Sequence, residues 1–101
     1  MPLDLTKESV LEQLKQVEDP EIHYNIVDIG LIYDVRIDEG MVVVNMTLTS
    51  PACPVGPYII AEVENVVKKM VGVTGVTVNV VWEPLWGPDK MSDEAKVELG
   101  V

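Results

Sequence analysis

The sequence predicts a two-layer α+β domain in which a three-stranded mixed sheet is covered on one face by helices. Apolar residues recur with the period of a helix in residues 6–17 and 57–70, and with a period of two in 31–48 and 76–82. The chain has 101 residues, 48% of them hydrophobic, which supplies one core but not two. We therefore treat residues 1–101 as a single domain with the element order α-β-β-α-β-α.

The first helix is predicted in residues 6–17. Thr6 suits the N-cap, and Ser9 with Glu12 offers an alternative capping box one turn later. The core-facing stripe consists of Val10, Leu11, Leu14 and Val17. Asp19-Pro20 ends the helix, because the residue before a proline avoids helical backbone angles. Residues 21–30 are predicted to be irregular.

An antiparallel hairpin is predicted in residues 31–48. The apolar face of its first strand contains Leu31, Tyr33, Val35 and Ile37, and the charged face contains Asp34, Arg36 and Asp38. Asp38-Glu39-Gly40 is predicted as a turn of about three residues, with a glycine available for positive φ. The return strand places Val42, Val44, Met46 and Leu48 on one face, and Asn45 and Thr47 on the other. The pattern indicates a sheet with one covered face.

The second helix is predicted to begin at Pro57 with Gly56 as its N-cap. A start at Pro54 would bring the ring of Pro57 against the carbonyl of Cys53. The apolar face contains Ile59, Ile60, Val63, Val66, Val67 and Met70, and Gly72 ends the helix. A third strand is predicted in residues 76–82. A last helix runs from Ser92, its N-cap, to Leu99, with Gly100 as the stop.

Charge and cysteine content limit the classes of partner and compartment. The net charge is −10, from 17 acidic and 7 basic residues, so neither nucleic acid nor an anionic membrane surface is an expected partner. No apolar run approaches the roughly 20 residues that span a bilayer. No secretory signal is visible at the N-terminus, and a single cysteine is typical of a reducing compartment. We predict a cytoplasmic protein.

Cys53 is the most informative residue of the chain. It lies in the frame Thr47-Leu-Thr-Ser-Pro-Ala-Cys53-Pro-Val-Gly-Pro57, where a strand pattern leads in and a helical pattern leads out. A helix N-terminus carries partial positive charge and favours the thiolate, which binds soft metals and attacks electrophiles. The alternative is a small buried apolar residue, as most free cysteines are. The frame alone leaves both interpretations open.

Three residues of one acidic loop are further candidates. His23 is the only histidine and could act as a base or metal ligand, although a single loop histidine is usually solvated. Asp19 and Glu21 could supply oxygen ligands near Cys53, but they would also oppose formation of the thiolate. The ordinary interpretation is a solvated turn, since Asp-Pro commonly starts one.

Trp82 and Trp86 flank an apolar segment, Trp82-Glu-Pro-Leu-Trp86. Large aromatic residues are mostly buried, so a core or lid role is the first interpretation. The alternative is a partner-binding surface, as exposed aromatic patches often are.

Three stretches together resemble the MIP18-type family, also called the domain of unknown function 59 family. The first is Asp19-Pro-Glu21 followed by Asn25-Ile-Val-Asp-Ile-Gly-Leu-Ile-Tyr33, and the second is Thr47-Leu-Thr-Ser-Pro-Ala-Cys-Pro54. The third is Trp82-Glu-Pro-Leu-Trp86 with Met91-Ser-Asp-Glu-Ala-Lys96. The family includes SufT-type and PaaD-like proteins. The resemblance implies an iron–sulfur assembly fold and a role in maturing iron–sulfur proteins.

The resemblance also implies site residues. Cys53 is the signature thiol, Asp19 and Glu21 lie beside it, and Thr49 in the same frame lines the site. The chain departs from two related patterns. Many relatives have a proline where His23 stands, and NifU-type scaffolds carry a Cys-x-x-Cys pair where this chain has one cysteine. We therefore expect at most a transient iron–sulfur cluster or iron, and none stably bound by a single chain.

The leading hypothesis is an iron–sulfur assembly or maturation factor in which Cys53 is a transient ligand or handover thiol. Its partners would be assembly proteins and client apoproteins, with a homodimer as a further option. An adaptor without metal chemistry, acting through Trp82 and Trp86, is the first alternative. A thiol enzyme using Cys53 is the second, and it is disfavoured because no base or oxyanion motif accompanies the cysteine.

Overall fold

Eight helices and strands are found in the computed structural model, which describes residues 5–49 and 55–100. They are α1 (Lys7–Leu14), β1 (Glu18–Asp19), β2 (Tyr24–Asn25), β3 (Ile32–Asp38), β4 (Met41–Met46), α2 (Gly56–Lys68), β5 (Gly75–Val80) and α3 (Asp93–Leu99). A 3₁₀ turn at Pro88–Lys90 precedes α3. The predicted α+β architecture is confirmed.

The main sheet has the order β3-β4-β5, with β3 and β4 antiparallel and β4 and β5 parallel. It is therefore mixed, as predicted. Helices α1 and α2 pack on one face, since α1 contacts β3, α2 contacts β5, and the helices contact each other. The core between the two layers includes Val10, Leu14, Val42, Val44, Met46, Ile59, Val63 and Val67, all fully buried.

The segment predicted to be irregular contains a short ribbon instead. Strands β1 and β2 pair antiparallel, with Glu18 opposite Asn25 and Asp19 opposite Tyr24. Two-residue strands are too short to produce a periodic pattern, so the sequence does not reveal them. Residues 19–23, from the last residue of β1 to the residue before β2, are called the ribbon turn below.

Helix α1 confirms the predicted N-cap and corrects the predicted end. The Ser9 N–H donates to Thr6 Oγ1 at 3.1 Å, and the Thr6 N–H donates to Ser9 Oγ at 2.9 Å. The capping box therefore uses Thr6 and Ser9 rather than Ser9 and Glu12. The helix ends at Leu14, and the Val17 N–H bonds to the Leu14 carbonyl in a tighter turn. Val17 still reaches the core, as its position in the stripe predicts.

The hairpin differs from the prediction in the length of its turn and in which side chains of β3 face the core. Its turn has two residues, Glu39 and Gly40, both with positive φ (49° and 87°), as in the type I′ turns that suit strand twist. The register shifts between Ile32 and Asp34. Because a bulge re-aims side chains, Ile32 rather than Tyr33 joins the core. The prediction of Tyr33 on the apolar face was wrong.

Helix α2 begins at Gly56 with Val55 as N-cap, one residue before the predicted start, and Pro57 lies in its first turn. A Cβ at Gly56 would lie 2.8 Å from Leu48 Cδ1. The glycine therefore lets the start of α2 approach the chain that leaves β4. The loop between them contains residues 50–54, which lie outside the described residues.

The chain returns across the sheet after β5, in residues 82–92, here called the C-terminal segment. Strand β5 ends two residues before the predicted Trp82, and the Val81 N–H donates to the Met46 carbonyl. The Ser92 N–H bonds to the Asp28 carbonyl at 2.7 Å. Helix α3 confirms its predicted caps: Ser92 Oγ accepts from the Ala95 N–H, and Gly100 has a φ of 74°. None of the helices described has the length and apolar character needed to cross a bilayer.

Candidate functional site

Asp19 is a buried carboxylate in the ribbon turn, with 1% of its surface exposed. Its Oδ1 accepts hydrogen bonds from the N–H groups of Glu21 (2.8 Å) and Ile22 (3.3 Å). Its Oδ2 is also buried and has no hydrogen-bond partner among the described residues. A buried polar atom without a partner is costly. One oxygen therefore holds the turn, and the other remains an open acceptor.

The ribbon turn closes tightly around this carboxylate. The His23 N–H donates to the Asp19 carbonyl at 2.7 Å, and His23 adopts a φ of 62°. That backbone conformation is strained for a residue with a Cβ. The turn therefore combines a strained backbone with a carboxylate oxygen that no described residue bonds, and strained residues cluster at functional sites.

The ribbon turn lies beside the first turns of α2. Pro20 and His23 line one side of a groove, and Tyr58 and Glu62 of α2 line the other. A hydrogen bond to Glu62, with that carboxylate's charge and some burial, raises the pKa of the exposed Tyr58. The sequence analysis did not select these two residues, because their helical positions read as an ordinary solvated face.

The predicted site residues fall partly within and partly outside the described structure. Cys53 lies in residues 50–54, outside the described residues. Thr49 is half-buried just after β4. Glu21 is exposed at the tip of the ribbon turn, where its N–H bonds to Asp19. The start of α2 therefore follows Cys53 in the chain and faces the ribbon turn in space.

The described residues do not form a metal site by themselves. Within residues 5–49 and 55–100, no group of three or more His, Asp or Glu residues is arranged to hold a metal ion. His23 is exposed and lines the groove with Glu18 and Glu62, without forming such a group. The site roles of Cys53, Asp19, Glu21, Thr49 and His23 stay predictions.

The two tryptophans lie in the C-terminal segment and are half-buried against the core. The Trp86 Nε1–H donates to the Ile29 carbonyl at 2.7 Å, and the Tyr33 hydroxyl donates to the Pro84 carbonyl at 2.7 Å. Leu85 between them is 70% exposed. Trp86 thus anchors the segment, while Leu85 is a large apolar residue that the segment presents to solvent. Partner binding by Trp82 and Trp86 stays a prediction.

Comparisons with known proteins identify relatives over most of the chain. Residues 7–80 match the family described as iron–sulfur cluster assembly protein. The chain is 48% identical over 86 residues to the Fe-S protein maturation auxiliary factor SufT of Staphylococcus aureus, covering 84% of this chain and 98% of that one. It is 45% identical over 96 residues to the Fe-S protein maturation auxiliary factor YitW of Bacillus subtilis, covering 94% of both.

A solved structure has the same fold. The crystal structure of a domain of unknown function 59 from Bacillus anthracis superposes with a TM-score of 0.90 at 39% identity, covering 94% of this chain and 92% of that one. The resemblance drawn from the sequence motifs is therefore confirmed.

Proposed function

Since the chain belongs to the iron–sulfur cluster assembly protein family, we propose that it is a maturation factor that helps deliver iron–sulfur cargo to client apoproteins. The observation that carries the proposal is 45–48% identity, over most of the chain, to proteins named maturation auxiliary factors. Those names describe auxiliary factors rather than catalysts, so we propose a role in binding and handover. Its partners are then assembly proteins and client apoproteins.

We assign the handover to Cys53. It follows Thr49 by four residues and precedes Val55, the N-cap of α2, by two. A thiolate is the ligand that iron in clusters uses most, and helix N-termini favour it. The packing of Leu48 against Gly56 fixes both flanks of this loop. The ribbon turn beside α2 adds one buried acceptor, Asp19 Oδ2.

The number of soft donors argues for transient binding. Iron–sulfur clusters are usually held by four thiolates, and the chain has one cysteine. The cargo must therefore take its other ligands from another molecule, which suits release better than storage. Asp19 Oδ2 is a hard oxygen donor, and we propose that it orients the site or holds iron briefly.

The alternative of an adaptor without metal chemistry has one observation in its favour. Leu85 is 70% exposed on a segment anchored by Trp86, so it is presented rigidly to a partner. An adaptor would need this residue and would not need Cys53. A thiol enzyme is the weaker alternative, because no base or oxyanion motif accompanies the cysteine in the sequence.

The test replaces the chromosomal gene with Cys53→Ser, Leu85→Ser or Val97→Ser variants. Val97 is 81% exposed on α3, far from both assigned surfaces in sequence, and serves as the matched control. We expect Cys53→Ser to lower the activity and iron content of endogenous iron–sulfur enzymes without lowering their protein levels. Its melting temperature should stay near that of the wild type.

Three outcomes would contradict the assignment. Full client activity in Cys53→Ser cells, with loss in Leu85→Ser cells, would favour the adaptor. A large drop in the melting temperature of Cys53→Ser would support the buried structural thiol. Cys53-dependent turnover of a small substrate by the isolated chain would favour an enzyme. Anaerobic purification with iron and sulfide analysis, on wild type and Cys53→Ser, measures whether the thiol carries cargo at all.

A further inference from the structure

Strand β5 leaves one edge of the main sheet open. It is the outermost strand after β4 in the described residues. The Val81 N–H points toward β4, because it donates to the Met46 carbonyl at 2.8 Å. Main-chain groups of successive residues in a strand point to opposite sides, so those of Val76, Val78 and Val80 point away from the sheet. Such a row of groups is a template for another strand.

The two edges of the sheet differ in how they discourage pairing. At the β3 edge, the charged residues Asp34, Arg36 and Asp38 alternate along the strand, and a register shift interrupts it. Lys7 of α1 adds a further charge, with its Nζ 3.4 Å from Asp34 Oδ1. Charges and bulges are the devices that natural proteins use to prevent edge pairing. The β3 edge is therefore protected.

The β5 edge has none of these devices in the described structure. Its register with β4 is unbroken from Gly75 to Val80, and it contains no proline. Residues 70–82 include no charged residue, in a chain in which 24% of residues are charged. Valine alternates with threonine and asparagine, which suits strand pairing.

We propose that this edge pairs with β5 of a second copy of the chain, antiparallel about a two-fold axis at Val78. The sequence Val76-Thr-Val-Asn-Val80 has the same apolar and polar pattern in both directions. Antiparallel pairing places Val78 opposite Val78 of the second copy and Val76 opposite Val80 of the second copy. Thr77 then lies opposite Asn79 of the second copy. Every cross-strand pair matches in polarity, as an isologous contact requires.

Charge favours a second copy over an unrelated partner at this edge. With a net charge of −10, two copies repel each other over most of their surfaces. Residues 70–82 are a stretch along which two copies can meet without like charges facing each other. A basic partner would be attracted to the acidic surfaces instead and would gain nothing from an uncharged edge.

The dimer also fixes the direction of β4 in the two copies. Val80 pairs with Met46 at the end of β4, so the C-terminal end of β4 lies toward the Val80 end of the edge. Antiparallel pairing points these ends in opposite directions, with Val80 and its symmetry mate about 13 Å apart along the strands. The inference goes beyond the proposed function, and either can fail without the other.

The experiment uses three double substitutions at Thr77 and Asn79, both exposed on the open face of the sheet. T77E/N79E and T77K/N79K place like charges opposite each other across the proposed contact. T77K/N79E places opposite charges there and leaves the net charge unchanged. All three remove the same bond from Asn79 Nδ2 to Asn45 Oδ1, so they are matched for effects within one copy. Sedimentation from about 1 µM to 1 mM covers the range of a small contact.

We expect the wild type to show a concentration-dependent dimer. The dissociation constant should rise about tenfold in both like-charge variants, from two unfavourable cross-strand pairs, and stay near or below the wild-type value in T77K/N79E. A wild type that is monomeric throughout would overturn the proposal. So would unchanged association in all three variants. Weakening in T77E/N79E with strengthening in T77K/N79K would also overturn it, because that pattern follows net charge at another surface.

Amide hydrogen exchange gives a residue-level readout of the same contact. The Val78 N–H should become more protected as the concentration of wild-type protein rises. The Ile37 N–H, which points outward from the β3 edge, should not change. Concentration-dependent protection at Ile37 without any at Val78 would place the contact at the wrong edge and overturn the proposal.

Discussion

The ribbon turn and the C-terminal segment are both largely irregular stretches, but they satisfy their polar groups differently. Trp86 of the C-terminal segment donates to the Ile29 carbonyl, and the Pro84 carbonyl of that segment accepts from the Tyr33 hydroxyl, both at 2.7 Å. In the ribbon turn, Asp19 keeps one buried oxygen without a partner among the described residues. A polar group that is bonded within the fold stabilises it, whereas a buried group without a bond is available for chemistry. The difference predicts a structural role for the C-terminal segment and a functional role for the ribbon turn.

The largest expected effect comes from Gly30→Ala, which tests the C-terminal segment. A Cβ at Gly30 would lie 2.8 Å from Lys90 Cβ and 2.7 Å from its carbonyl carbon, at a φ of 86°. Steric overlap with main chain adds to the strain of positive φ. We expect the free energy of unfolding to fall by about 3 kcal/mol or more, measured by urea denaturation.

Gly72→Ala is the matched control, because Gly72 has a φ of 92° and a Cβ added there would meet no atom within 4 Å. It tests positive φ without the contact and should lower the free energy of unfolding by about 1 kcal/mol. Equal losses for the two variants would show that the approach of Lys90 to Gly30 adds nothing. The segment would then not be a structural anchor.

A gain in stability is expected for Asp19→Asn, which tests the ribbon turn. Asparagine keeps the Oδ1 acceptor for the N–H groups of Glu21 and Ile22. It removes the buried charge of a carboxylate whose Oδ2 has no partner among the described residues, and a buried charge costs more than the neutral amide that replaces it. The free energy of unfolding should rise by about 2 kcal/mol, measured by thermal denaturation. Asp19→Ala removes both acceptors and should instead destabilise. A loss in both variants would mean that Oδ2 is satisfied in solution, and the contrast between the two regions would disappear.

The smallest expected effect is on the stability of the protein at alkaline pH, through the ionisation of Tyr33. Partial burial raises the pKa of Tyr33 above 10.0, helped by the charge of Asp89 and opposed by a hydrogen bond with Thr47. Since the folded state holds this proton more tightly, the contribution is complete below pH 10 and is lost as the pH rises through the folded-state pKa. Stability should therefore fall more steeply above pH 10 in wild type than in Tyr33→Phe. Parallel curves for the two proteins would show that folding does not raise the pKa of Tyr33.

The sequence could predict features that depend on residues close together in the chain, but not features that depend on distant ones. The stripe of α1, the Thr6 cap, the alternation in β4 and the Ser92 cap depend on residues a few positions apart, so the pattern contains them. The contact of Gly30 with Lys90 joins residues 60 positions apart. The bond from the Tyr33 hydroxyl to the Pro84 carbonyl joins residues 51 positions apart. Neither leaves a local signal.

The same distinction applies to the candidate site: the sequence predicted which residues belong to it, but not how they are buried. The residue types in two segments, the loop containing Cys53 and the turn containing Asp19, marked these residues as site candidates. The resemblance to a known family then assigned both segments to the same site. The burial of Asp19 could not be predicted, because an Asp-Pro pair ordinarily starts a solvated turn. Only the packing of the ribbon turn removes this carboxylate from water. For Trp86 the sequence left two interpretations, a core or lid residue first and a partner surface second, and its bond to the Ile29 carbonyl is visible only in the structure.

The parallel pairing of β4 with β5 also orders the events of synthesis. Met41 pairs with Gly75 and Met46 with Val80, so each rung of this ladder joins residues 34 positions apart. The β3–β4 hairpin closes through its two-residue turn as soon as it leaves the ribosome, because its contacts are local. One side of β4 then stays bare until α2 and β5 have been translated. During that interval the nascent chain exposes an apolar strand, and its protection depends on chaperones and on the speed of elongation rather than on the finished fold.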